Sequence, residues 1–423
     1  MNFIKEGKWA KMNRVNELIK EYCPDGVEIR CLEDCCNLLD KKRKPITKAS
    51  REAGEYPYYG ANGIQDYVAN YIFDGTFVLV GEDGSVITKS GTPVVTWAEG
   101  KIWVNNHAHI IEEKDDVMLR YLYHYLQTID VTSLIHGNIP KLTGGDFKAL
   151  KIAVPPLEVQ REIVHILDSF TLLTAELTAE LTARKKQYDF YRDKLLSHDE
   201  IYPMKPLAEL GKWSGGKTPS MSEKSFWEQG TIPWISSKDM KVSTLENTQD
   251  HITEKAVKEA SMTVYPANSI AIVTRSGILK HTFPVAYVPF ETTINQDIKM
   301  LVVNEDILPR YAFHVIQGKG NDILVKTKKQ GGTVDSLDFQ KVLAYKVPVP
   351  SKDIQRKLVE VLDNFESICT DLNIGLPAEI EARQKQYEYY RDLLLTFAET
   401  GSTLVTDRQT DRQTDRQTDR QTD

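Results

Sequence analysis

No stretch of this chain has 18 or more consecutive apolar residues, so no segment reads as a membrane-spanning helix. The start, Met1-Asn-Phe-Ile-Lys-Glu-Gly-Lys-Trp, is charged and lacks an apolar signal core, and a cytoplasmic protein is expected. Cysteine is scarce: Cys23, Cys31, Cys35, Cys36 and Cys369 are the five in 423 residues, with no CxxC pair and no HxxxH partner. That disfavours a zinc module or a disulfide framework and predicts reduced, mostly buried thiols. Catalytic signatures are missing as well. There is no Asp/Asn/Ser-Pro-Pro-Tyr/Phe tetrapeptide of an amino-methyltransferase, no Gly-rich cofactor loop after a first strand and no nucleophile elbow. Gly211-Lys-Trp-Ser-Gly-Gly-Lys-Thr218 matches the phosphate-loop spacing GxxxxGK-Ser/Thr, but Pro219 follows at once and no amphipathic helix does. Catalysis by this chain alone is not expected. A positive excess is also lacking: 53 Lys and Arg against 60 Asp and Glu give a net charge of −7. Such a chain is no non-specific nucleic-acid coat, although a specific reader needs only a local basic surface.

What is present is ordinary globular material, 41% hydrophobic and 27% charged, enough for two or three domains with their own cores. It is also duplicated. Val154-Pro-Pro-Leu-Glu-Val-Gln-Arg-Glu-Ile-Val-His-Ile-Leu-Asp-Ser-Phe170 recurs as Val349-Pro-Ser-Lys-Asp-Ile-Gln-Arg-Lys-Leu-Val-Glu-Val-Leu-Asp-Asn-Phe365. Ala183-Arg-Lys-Lys-Gln-Tyr-Asp-Phe-Tyr-Arg-Asp-Lys-Leu-Leu196 recurs as Ala382-Arg-Gln-Lys-Gln-Tyr-Glu-Tyr-Tyr-Arg-Asp-Leu-Leu-Leu395. The period is far too long for a solenoid, so the chain reads as a globular segment followed by a helical one, twice. In the first helical segment Leu173, Leu177, Leu181, Tyr188, Tyr191 and Leu195 share one face, and Ile380, Tyr387, Tyr390 and Leu394 repeat the phase in the second. These stripes are expected to pair helix on helix. A helix from about Thr174 to Ser197 would run ~36 Å, and Gly375-Leu-Pro377 should break the second segment into a short and a long helix. The boundaries read are 1–153 and 200–348 for two globular domains, 154–199 and 349–398 for two helical repeats, and 399–423 for a Thr-Asp-Arg-Gln tail expected to be disordered.

Both globular segments show short apolar β-type runs, Phe77-Val-Leu-Val80 and Val94-Val95 in one, Ile270-Ala-Ile-Val273 and Met300-Leu-Val-Val303 in the other. Each then has a short helix, over Leu119–Gln127 and Leu308–Gln317. The class is therefore α+β. Each segment also carries local positive charge and residue types that read base edges, since Asn and Gln pair with adenine, and Lys and Arg with guanine or phosphate. In the first, the DNA-contact candidates are Lys41, Lys42, Arg43, Lys44, Tyr59, Asn62, Asn105, Asn106, His107, His109, His136, Asn138 and Lys141. In the second, they are Lys217, Ser236, Lys238, Arg275, Asn295, Gln296, Lys326, Lys328, Lys329 and Gln330.

The two duplicated blocks closely resemble the central repeats of type I restriction–modification specificity subunits. Tyr56-Pro-Tyr-Tyr-Gly-Ala-Asn62, and Gly216-Lys-Thr-Pro219 with Ile232-Pro-Trp-Ile-Ser-Ser-Lys-Asp239, resemble the openings of that family's target-recognition domains. The resemblance covers roughly 13–397; the Thr-Asp-Arg-Gln tail lies outside it. It implies two α+β recognition domains joined by long antiparallel, coiled-coil-like helices with pseudo-two-fold duplication. Each domain would read one half of a split duplex DNA target, and the helices would set the unread spacer. Two modification subunits would dock on the helices, at a surface adjoining Leu177, Leu181, Tyr188, Tyr191, Ile380, Tyr387, Tyr390 and Leu394, and methylate adenines. Restriction subunits would add translocation and cleavage. S-adenosylmethionine, ATP and magnesium would belong to those partners, with no catalytic residue and no metal ligand in this chain. The alternatives are a single-chain restriction–modification enzyme, a structural coiled-coil scaffold, or a phase-variable or unexpressed cassette copy of the same subunit.

Overall fold

The computed structural model describes residues 14–197, 201–329, 334–371 and 373–400, with side chains to 396. Gln330 and the Thr-Asp-Arg-Gln tail lie outside the described residues. The chain divides into two compact units, Met1–Leu177 with Ile380–Asp423, and Thr178–Glu379. Each unit therefore takes its helical part from both copies of the duplicated sequence.

In the first unit a six-stranded sheet runs in the order Asn37–Leu38, Ala108–Glu112, Phe73–Gly81, Val95–Val104, Ala53–Gly60, Gly63–Val68. Its centre is the apolar run expected from sequence. Alternation along that strand sends Val78 and Val80 into one core and Phe77 and Leu79 into another, so both faces are covered. The neighbour Ala53–Gly60 joins in parallel, with Tyr58 opposite Trp103 and Tyr59 opposite Val104. The second unit has a four-stranded sheet in the order Gly211–Gly215, Ile298–Val303, Ser269–Val273, Val285–Val288. Beside it lies a three-stranded sheet in which Ile232–Ile235 pairs in parallel with Thr293–Ile294. In both units the entering strand pairs with the leaving one, Glu28–Cys31 with Lys151–Val154 and Met204–Pro206 with Lys346–Pro348.

Five helices carry the rest of the argument: α1 (Leu119–Leu126), α2 (Leu157–Leu195), α3 (Pro309–Gly318), α4 (Lys352–Thr370) and α5 (Leu376–Thr400). Helix α2 starts earlier than the periodicity suggests. Its 39 residues run unbroken from just after Pro155-Pro156, about 58 Å at ~1.5 Å per residue, because nothing between Leu157 and Leu195 is Pro or Gly. The second copy breaks at Gly375-Leu-Pro377 as expected, between α4 and α5.

One tyrosine of each stripe, Tyr188 and Tyr387, does something other than pair helices. In the first unit Tyr387 of α5 is buried against α1, with its hydroxyl 2.8 Å from Nδ1 of the buried His124. Nε2 of His124 is 2.9 Å from Asp168 of α2, and Arg120 Nε donates to the same carboxylate at 2.6 Å. In the second unit Tyr188 of α2 is buried against α3, its hydroxyl 3.2 Å from Nδ1 of His314 and 3.2 Å from Gln317 Oε1. His314 and Arg310 then meet Asp363 of α4, at 2.6 and 3.0 Å. Tyr188 and Tyr387 thus dock each globular module on its helices, a correction to their reading as helix-pairing residues. The reason is that the ring must cover the apolar face of α1 or α3, where an Arg and a His four residues apart point the same way. Helix pairing falls to the next turn: Tyr390 stacks on Phe170 at 5.2 Å in the first unit, and Tyr191 packs on Phe365 at 5.9 Å in the second. Leu394 is buried in the first unit's core; Leu177, Leu181 and Ile380 are only half-buried.

Gln160 and Gln355 repeat the same economy of contacts. Gln160 donates to the carbonyls of Pro155 and Asp116 at 2.8 and 3.0 Å and accepts from Met118 N at 2.9 Å. Gln355 donates to Pro350 and Asp306 at 2.9 and 3.1 Å and accepts from Leu308 N at 2.8 Å. Each buried amide thus ties the start of its own helix to the loop before α1 or α3, with both N–H donors and the oxygen used.

Candidate nucleic-acid interface

At one edge of each module three loops meet on a shared frame. In the first unit Asn105 N donates to Tyr59 O at 3.1 Å and the Asn105 side chain accepts from His107 N at 2.8 Å. Asn295 repeats both bonds in the second unit, to Ile235 O at 3.0 Å and from Asp297 N at 3.0 Å. Glu82 N then donates to His107 O at 2.8 Å, as Thr274 N does to Asp297 O at 2.7 Å. A returning strand closes each frame: Leu142 N donates to Glu82 O, and Leu337 N to Thr274 O, both at 2.9 Å. These bonds place Tyr59 opposite Ile235, Asn105 opposite Asn295, Asn106 opposite Gln296, His107 opposite Asp297, and Asp83 opposite Arg275. The matching closures are the pairing of Ile135 with Leu142 and of Lys328 with Leu337.

This frame sorts the sequence candidates. Asn105 and Asn295 are buried, and their side chains hold the turn. Tyr59 and Ser236 are also buried, with Ser236 donating to Asp239 at 3.1 Å. His109 is enclosed, stacked on Phe147 at 4.2 Å, with its ring nitrogens 2.6 Å from Asp40 and 3.2 Å from Leu142 O. Burial would raise the Asp40 carboxyl's pKa, but the bonds from His109 and Ile110 N and the Arg43 charge hold it below its usual range. Arg43 pairs with Glu82 and donates to Ala108 O at 2.8 Å, so its charge is internal. His109 lies in the strand Ala108–Glu112, which is buried on both faces, and Arg43 sits between the carboxylates of Asp40 and Glu82. Lys328 is half-buried and pairs with Asp335 at 2.9 Å, while Lys326 pairs with Asp322 at 2.6 Å along its own short helix.

The remaining candidates stay on the surface. Asn62, His107 and Lys141 surround a cleft of about 510 Å³ in the first unit, with Gln65, Asp83 and Ser85 beside them, and Asn106 is exposed next to His107. His136 and Asn138 are exposed on the adjoining hairpin. Lys41, Lys42 and Lys44 are exposed on the loop that carries Asp40 and Arg43. In the second unit Lys217, Lys238, Arg275, Gln296 and Lys329 are exposed, with Gln296 bonded to Thr218. Gly216 belongs to this edge for steric reasons: a Cβ there would lie 1.8 Å from Ile294 O. The chain continues from it without regular structure and forms no helix, so the phosphate-loop spacing has no phosphate-loop structure. Gln65, Asp83, Thr218 and Asp297 were not singled out from sequence. The signal that could have found the last is the recurrence of an Asn followed by an amide residue, Asn105-Asn106 and Asn295-Gln296, after a β-branched run. Amides, an imidazole and cationic groups displayed on loop tips offer donors and acceptors suited to base edges and phosphates.

Comparison with known proteins gives the same picture. The family described as "Type I restriction modification DNA specificity domain" matches twice, over residues 24–184 and 201–382. The chain is 46% identical over 293 residues to the Escherichia coli type I restriction enzyme EcoR124I/EcoR124II specificity subunit, covering 67% of this chain and 72% of that one. It is 34% identical over 386 residues to a putative type I restriction enzyme specificity subunit of Haemophilus influenzae, covering 88% and 96%. Among solved structures, a type I restriction–modification S subunit from M. genitalium shares the fold with a TM-score of 0.53 at 17% identity, over 87% of this chain and 96% of that one. Two matched specificity domains, on a duplicated frame with differing loop tips, make this chain a member of the type I restriction–modification specificity subunits.

Proposed function

We propose that the chain reads a bipartite duplex DNA target, one half-site per module, for partner subunits that carry the chemistry. The observation behind this is the repeated loop frame: the same backbone bonds recur in both units while the exposed side chains on them differ. A shared scaffold with different tips is what two readers of different sequences require. In this reading the chain sets where the complex acts and catalyses nothing itself. Two modification subunits dock on the helical parts and methylate adenines with S-adenosylmethionine; restriction subunits use ATP and magnesium for translocation and cleavage. Helix α2, which contributes to both units, sets the unread spacer. No described helix is long and apolar enough to cross a membrane, and a reader of the chromosome works in the cytoplasm.

The test is a module exchange. Residues 200–346 are replaced by the corresponding segment of a relative, and the methylated motif is mapped with the modification subunit present. One half of the motif should change. Changes in both halves would refute independent reading.

A further inference from the structure

The frame that relates the two modules also isolates the one rim position where their chemistry is exchanged. In the first unit Asp83, on the loop after the central strand, bonds to Nδ1 of His107 on the Asn-held turn. In the second unit the roles reverse: the loop after the central strand carries Arg275, and the Asn-held turn carries Asp297, with Nε donating to Oδ1 at 2.7 Å. In both, the carboxylate is the more sheltered partner and the nitrogen group faces out. Side-chain exposure is 26% for Asp83 and 45% for His107, against 23% for Asp297 and 56% for Arg275. A carboxylate that grips one nitrogen of a ring or fork fixes the direction of the others. For Arg275 the grip is on Nε, and the two terminal nitrogens bond to no described residue. For His107 the grip is on Nδ1, and Nε2 bonds to no described residue.

We propose that these carboxylate-held groups are specificity-determining residues, Arg275 for a guanine in the second half-site and His107 for one base of the first. This rests on the reading of the modules as half-site readers. A guanidinium with a free terminal fork matches the paired acceptors O6 and N7 of guanine, which no other base presents in the major groove. Lys217 and Lys329, exposed beside the same frame, are point charges suited to phosphate contacts. The exchange of donor and carboxylate between two loops moves the origin of the outward group from the turn to the strand loop. A mere staple would work equally well either way round. A reader would not, because the presented donor changes in both type and position.

The experiment uses the full chain in complex with its modification subunit. Binding is measured against duplexes in which each base pair of the mapped motif is varied singly. Arg275→Ala should flatten discrimination at one G·C position of the second half-site by about 5- to 150-fold and leave every first-half position unchanged. Arg275→Gln, which keeps a planar bidentate group, should shift that position from guanine toward adenine. His107→Ala should flatten one position of the first half-site only. Uniform weakening on all sequences would make these groups phosphate contacts and overturn the proposal, as would unchanged discrimination. If the wild-type complex yields no bipartite motif, the half-site reading itself fails, a result distinct from either.

Discussion

Removing one oxygen from Tyr387 tests how the modules are held. The hydroxyl donates to His124 Nδ1 at 2.8 Å, inside a contact where both residues are buried. His124 has no escape by changing tautomer, because its other nitrogen must donate to the Asp168 carboxylate 2.9 Å away. Tyr387→Phe therefore leaves a buried acceptor without a donor, at a cost of about 1–3 kcal/mol. Tyr387→Ala adds a cavity and should cost more, about 3–5 kcal/mol in all. Hydrogen exchange read peptide by peptide separates the two units. In Tyr387→Phe, peptides covering α1 should open about 5 to 150 times more readily, while those covering α3 keep their protection. Tyr188→Phe should do the reverse, loosening α3 and sparing α1. If either variant loosened both helices alike, or neither, these tyrosines would not be the local docking contacts described above.

Acid should weaken the first unit. Burial holds the His124 pKa below its ordinary value near ~6.5, so below that pH the unfolded chain binds a proton that the fold resists, and stability falls as pH falls. Protection of α1 that is equal at pH 7.5 and 5.5 would contradict this. Asp168 and Asp363 lie below the usual carboxylate range because bonds from His124 and Arg120, or His314 and Arg310, outweigh burial. Their contribution persists above about pH 4 and is lost as pH falls further through their folded values, which acid melts of Asp168→Asn should show as a flattened profile. In α2, the division between units falls between the two copies of Thr174-Ala-Glu-Leu-Thr-Ala-Glu-Leu181. A third copy adds ~6 Å and a rotation of roughly 40° beyond a full turn, and should lengthen the unread spacer by one base pair with both half-sites unchanged. An active variant with the original spacer would show that this helix does not set the distance.

Much of this was legible in the residues, for identifiable reasons. Duplication was visible because the helical blocks repeat almost letter for letter, and their helices followed from spacing and from Gly375-Leu-Pro377. The docking contact was only half legible. Arg120, His124, Asp168 and Tyr387 all have counterparts in Arg310, His314, Asp363 and Tyr188, yet they lie on three separate helices of each unit. Sequence periodicity shows that a tyrosine faces inward, not what it faces. The loop frame was hidden for another reason: apart from the turn-holding Asn105 and Asn295, its equivalences rest on backbone bonds, which leave no trace in side-chain identity. Hence Asn105, His109 and Asn295 read as surface groups although the fold uses them internally, while Asp83 and Asp297 drew no notice.

The central claim, two modules reading two half-sites, is tested most directly by base-resolved mapping of methylated adenines. The chain would be expressed with its modification subunit in a host lacking other adenine methylation, and the genome sequenced with and without this gene. The account predicts one asymmetric motif, present only with the gene, made of two short specified halves around a fixed run of unspecified base pairs. A single uninterrupted motif, or a methylation pattern that does not depend on this chain, would contradict it.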